Sequence, residues 1–140
     1  MSEDLYQKAL VAMAKSGIGA GRLEAPDGTA TADNPLCGDR VTVDVRMDGG
    51  RVRELAHKTR GCLLTQAAAA CVADHVPGMD ADEAASLAEA VRRWLAGEGD
   101  PPAGLEIMEP VRAVRSRHEC VLIAYEALRD ALEKAAGTPR

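Results

Sequence analysis

Phenylalanine is absent from this 140-residue chain, and its aromatic side chains amount to two tyrosines and one tryptophan. So few rings leave little with which to stack bases, and 22 acidic against 17 basic residues give a formal net charge of −5, which repels phosphate backbones. Nucleic acid is excluded on both counts, and protein partners are expected instead. Long hydrophobic runs are missing too. No continuous apolar stretch approaches the roughly 20 residues of a membrane span, and the opening Met1-Ser2-Glu3-Asp4 is acidic where a secretory signal is basic. The expectation is a soluble, cytoplasmic protein with no membrane contact. Cysteine is sparse, at four widely spaced residues, unlike the dense framework of a small secreted domain. With 46% hydrophobic residues, a chain of this length buries roughly two thirds of its unfolded surface without covalent staples. One domain over residues 1–140, with reduced thiols, is expected.

What is present is a set of clear local patterns. Leu5, Ala9, Ala12 and Met13 recur at helical spacing and predict a first amphipathic helix ending near Gly17. The stretch from Gly17 to Gly28 reads as a flexible connector. Its Gly17-Ile18-Gly19-Ala20-Gly21 imitates a phosphate loop but has no strand before it and no Lys-Ser/Thr after it. Val41, Val43, Val45 and Met47 alternate with Thr42, Asp44 and Arg46, which predicts a strand with one apolar and one solvated face. Asp48-Gly49-Gly50 reverses the chain into a returning strand, Arg51 to Arg60, with a bulge between Val52 and Leu55. A short strand at Thr29 to Ala32 pairs alongside. An Ala-rich helix runs from Leu63 to Val76 and is stopped by Pro77-Gly78. Asp80 and Glu83 read as the capping box of a helix closed by Gly97, and Ser116 and Glu119 as that of a last helix with Val121, Ala124, Leu128, Ala131 and Leu132 on its buried face.

Three cysteines occupy distinctive settings against this background. Cys37 lies in Asn34-Pro35-Leu36-Cys37-Gly38-Asp39, Cys62 follows Gly61 at a helix start, and Cys120 falls in the first turn of the last helix. The hairpin brings Cys37 and Cys62 to one edge of the sheet. Helix N-termini beside Cys62 and Cys120 favour the thiolate form. Asp39 adds an oxygen donor, so Cys37, Asp39, Cys62 and Cys120 make a candidate four-ligand metal set. Plainer readings exist for each: cysteines buried as small hydrophobes, and an aspartate ending a turn. Cys71, nine positions after Cys62 and so on the far side of a helix, is assigned to the core, and His57 and His75 to the surface.

These residues carry a resemblance. Asp33-Asn34-Pro35-Leu36-Cys37-Gly38-Asp39-Arg40, Arg60-Gly61-Cys62 before an Ala-rich helix, and Arg117-His118-Glu119-Cys120 before Tyr125-Glu126-Ala127-Leu128 resemble the IscU/NifU scaffold proteins of iron-sulfur cluster assembly. Over nearly the whole chain the likeness is closest to the SufU branch. Glu119 stands where the scaffold branch has histidine before its third cysteine. That branch's Leu-Pro-Pro-Val-Lys chaperone sequence is lacking, and the segment between Cys62 and Cys120 is longer. The resemblance implies an α+β fold, a small antiparallel three-stranded sheet packed against several helices. It also implies a site of Cys37, Asp39, Cys62 and Cys120 holding Zn2+ or a [2Fe-2S] cluster. The implied work is acceptance of persulfide sulfur from a cysteine desulfurase, with Cys37 as acceptor, and delivery to iron-sulfur apoproteins or an assembly complex. Such a protein is a scaffold or sulfur carrier rather than a stand-alone enzyme. Building and transferring a cluster is the alternative, and a purely structural zinc module a second. His118 is a candidate substitute ligand or an exposed first-turn residue; Arg117 orients an incoming persulfide or pairs with a surface acid.

Overall fold

The computed structural model of the chain describes residues 3–137. Three strands, β1 (Gly28–Asn34), β2 (Asp39–Asp48) and β3 (Arg51–Arg60), form one antiparallel sheet with β2 in the middle. Val41, Val43 and Val45 of β2 are sealed from solvent, as their alternation requires. Gly49 and Gly50 both take positive φ in the β2–β3 turn, the conformation that a two-residue hairpin demands. Met47 pairs with Val52 and Arg46 with Glu54, so Arg53 is the extra residue of the expected bulge.

Among the described residues, five α-helices accompany the sheet: α1 (Glu3–Lys15), α2 (Leu63–His75), α3 (Ala81–Ala85), α4 (Leu87–Leu95) and α5 (His118–Ala136). α5 packs on β1 and β2 on one side and on α2 and α4 on others. Its predicted face is buried, and so are Leu122, Ile123, Tyr125 and Ala127. Small side chains at Ala67 to Ala70 let α2 come close, while Trp94, Leu105 and Met108 supply the bulk that phenylalanine would otherwise give. Among the described residues, no helix is long and apolar enough to cross a membrane.

Several expectations are corrected. α1 buries Leu10, with Met13 and Ala14 packed partly against the core, while Ala12 is exposed. A leucine removes more apolar area than an alanine, so it sets the rotation of the helix. Leu5 lies outside the residues whose side chains are described. The helix capped by Asp80, whose carboxylate accepts from the Asp82 amide, is broken at Ser86, where the hydroxyl bonds back to the Glu83 carbonyl at 2.7 Å. α5 is entered through 3-10 turns at Leu105–Ala113 and Arg115–Arg117, so Ser116 lies inside a turn, and Arg117 is the N-cap without a side-chain bond.

The largest departure concerns residues 17–23, which are strapped down. The Gly21 amide donates to the His57 carbonyl and the His57 amide to the Gly19 carbonyl, each at 2.8 Å, covering the outer edge of β3. Glycine is required at 19: its φ is +73°, and a Cβ there would fall 2.2 Å from the Ala73 Cβ. His57, assigned to the surface, is buried, with Nε2 2.9 Å from the Ile18 carbonyl and Nδ1 2.8 Å from Thr59 Oγ1. Burial lowers its pKa, against the opposing pull of the Ile18 carbonyl. His75 is half-buried on the Cys71 carbonyl. Asp44, expected in solvent, is fully buried beneath the strap.

Candidate metal centre

The three cysteine settings meet at one end of the sheet. Between β1 and β2 the chain turns through residues 35–38. The buried Asn34 organises this turn: its Oδ1 accepts from the Leu36 amide at 3.2 Å, and its carbonyl accepts from Cys37 and Gly38 at 3.3 and 2.8 Å. This presents Cys37 to solvent and starts β2 at Asp39, which is buried. Arg40 pairs with Arg60 across the ladder, so Gly61 and Cys62 leave β3 beside Asp39. The contact is close, since a Cβ at Gly61 would sit 2.7 Å from the Asp39 carboxyl carbon. Cys62 is the N-cap of α2, without a side-chain cap bond. Cys120 arrives from the helical layer in the first turn of α5 and is buried.

Ligand atoms of Cys37, Asp39 and Cys120 all lie within 4.8 Å of one another. Cys62 stands next to that group with its thiol among Thr65, Asp39 and Cys120, and its Sγ is 3.3 Å from Thr65 Oγ1. Burial alone would raise the Asp39 pKa. Hydrogen bonds from Thr65, from the Cys37 and Cys62 thiols and from the Cys62 amide outweigh it, and the carboxylate titrates below its usual range. Cys120 departs from expectation, because burial, and then the neighbouring Cys62, Cys37 and Asp39, push its thiol up to about 12. The dipole of α5 does not overcome that crowding. Three thiols and a carboxylate competing for negative charge in one place are relieved by a cation. Sulfur with one oxygen is also a donor set that suits zinc or an iron-sulfur cluster, so these residues fit such a group.

Other candidates lie elsewhere. Cys71 is buried in the core, where burial lifts its thiol to about 12. His118 Nε2 is held by the carbonyls of Val111 and Arg112 at 3.2 and 3.1 Å and does not join the group. The residue that sequence reasoning passed over is Thr65. Its hydroxyl is fully buried and donates to Asp39 Oδ2 at 2.5 Å. The signal was a lone hydroxyl about one turn after Cys62, in the first turn of α2. Leu36, Leu63 and Val114 are the exposed large hydrophobic side chains among the described residues, and Leu36, at 94%, and Leu63 directly adjoin Cys37 and Cys62 in the chain.

Comparison with known proteins agrees with this architecture. The crystal structure of a nitrogen-fixing NifU-like protein (N-terminal) from Brucella abortus superposes with a TM-score of 0.89 at 33% identity, covering 98% of each chain. The iron-sulfur cluster assembly scaffold protein IscU of Thermotoga maritima is 26% identical over 133 residues, 93% of this chain and 94% of that one. The zinc-dependent sulfurtransferase SufU of Bacillus subtilis is 27% identical over 109 residues, 75% of this chain and 74% of that one. The description of the NifU-like N terminal domain fits residues 5–138, nearly the whole chain, and on that match together with the shared fold the protein belongs to the NifU-like N terminal domain family.

Proposed function

We propose that this protein serves iron-sulfur cluster assembly as a zinc-dependent acceptor of persulfide sulfur from a cysteine desulfurase. The carrying observation is the convergence of Cys37, Asp39 and Cys120 within 4.8 Å, with Cys62 alongside, at the exposed end of the sheet. Cys37, Asp39, Cys62 and Cys120 are the residues that would hold zinc, and bound zinc would keep the thiols reduced and ordered. Cys37 is the acceptor in this reading because it alone of the three thiols is exposed, on a four-residue turn. Its thiolate attacks the outer sulfur of the desulfurase persulfide. A new S–S bond forms on Cys37, the old one breaks, and the desulfurase cysteine leaves as thiolate, so no external oxidant or reductant is needed. Leu36 and Leu63, exposed beside Cys37 and Cys62, offer apolar contacts through which the desulfurase would dock.

A second reading, assembly and transfer of a [2Fe-2S] cluster on the same residues, is favoured by the near full-length match to the Thermotoga scaffold protein. Metal and acid-labile sulfide analysis with a visible spectrum, on protein purified without oxygen, separates the two. About one zinc per chain with no visible band supports sulfur acceptance; iron and sulfide with charge-transfer absorption supports the scaffold. Failure to stimulate a cysteine desulfurase, with zinc bound, would reduce the domain to a structural zinc module.

A further inference from the structure

A fully buried hydroxyl in a helix ordinarily bonds the carbonyl one turn back. For Thr65 that carbonyl belongs to Gly61, and it is occupied by the Gln66 side-chain amide at 2.9 Å. The Thr65 hydroxyl is turned to the site instead. It has one proton, which goes to Asp39 Oδ2 at 2.5 Å, and its oxygen lies 3.3 Å from Cys62 Sγ. Thr65 therefore occupies one carboxylate oxygen of Asp39, beside Cys62 at the start of α2.

Building on the metal-site reading above, we propose that Thr65 is a positioning residue that fixes Asp39 for metal binding without itself being a ligand. Outer groups that orient ligands this way change metal affinity by about 10- to 100-fold when removed. Thr65→Val keeps the shape and deletes the hydroxyl; Thr65→Ser restores it. Zinc affinity of the full chain, measured by competition with a chromogenic chelator, should fall by about that factor in Thr65→Val and return in Thr65→Ser. In an Asp39→Ala background the valine substitution should cost markedly less, because the oxygen through which it acts is gone. A Thr65→Val protein with undiminished affinity, or one whose full loss persists in the Asp39→Ala background, overturns the positioning role. Should Thr65→Val misfold, Thr65→Ala and the serine variant carry the same comparison. A wild-type chain that binds no zinc overturns the zinc reading itself, so the two failures are told apart.

Discussion

Removing the Asp44 carboxylate should cost the fold heavily. This carboxylate, fully buried, accepts from Arg22 Nε and Nη2 at 2.7 and 3.1 Å, from the Leu23 amide at 3.1 Å and from Thr29 Oγ1 at 2.7 Å. Asp44→Ala leaves these donors facing a small apolar cavity. The Arg22 side chain is 53% exposed and returns to water, so the loss of its ion pair adds little. The Leu23 and Thr29 bonds to a charged acceptor contribute about 1.5 kcal/mol each at the lower end of their range. The sum is about 3 kcal/mol, a fifth or more of the stability of an ordinary domain. The effect also carries a pH signature. Burial would raise the Asp44 pKa, but the Arg22, Thr29 and Leu23 bonds and the Arg22 charge lower it. The unfolded chain then takes up the proton first, so the stabilisation is full above the ordinary carboxylate range near pH 4 and is lost as pH falls through the depressed value. Urea unfolding followed by circular dichroism, at neutral pH and at steps below pH 4, measures both. A loss under about 1 kcal/mol at neutral pH, with unchanged denaturant slope, would refute the view that the strap depends on this carboxylate.

Gly61→Ala places a Cβ 2.7 Å from the Asp39 carboxyl carbon, so the carboxylate must shift; zinc affinity should fall about tenfold with a stability loss of about 1 to 3 kcal/mol, read by chelator competition and urea unfolding. Gly19→Ala meets the Ala73 Cβ at 2.2 Å and a φ of +73°, and should lower thermal stability by about 2 to 4 kcal/mol, with partial recovery in a Gly19→Ala/Ala73→Gly double variant by differential scanning calorimetry. His57 is held neutral by burial, so stability should decline as pH drops from the ordinary histidine range near 6.5 toward its lowered pKa, and His57→Gln should flatten that part of the urea profile.

Local chemistry decided much of this protein before any long-range contact did. The valine alternation of β2 specifies which face is buried, Asp48-Gly49-Gly50 specifies the reversal, and together they carry Cys37 and Cys62 to one end without knowledge of the rest of the fold. The Ala-rich run after Cys62 and the apolar face of α5 were equally legible, because helix period and propensity act within a few residues. Properties that depend on what arrives from elsewhere were not legible. Asp44 reads as a solvent-facing strand residue until a strap twenty residues upstream covers it, and the same strap buries His57. The Cys120 thiol reads as dipole-activated until three acidic neighbours from other elements crowd it. Thr65 reads as one more helix residue until the hairpin places Asp39 against it. Sequence spacing determines which side chains share an element and a face; burial, crowding and the partner of each proton are decided only when separate elements pack, because dielectric and hydrogen-bond competition depend on neighbours distant in the chain.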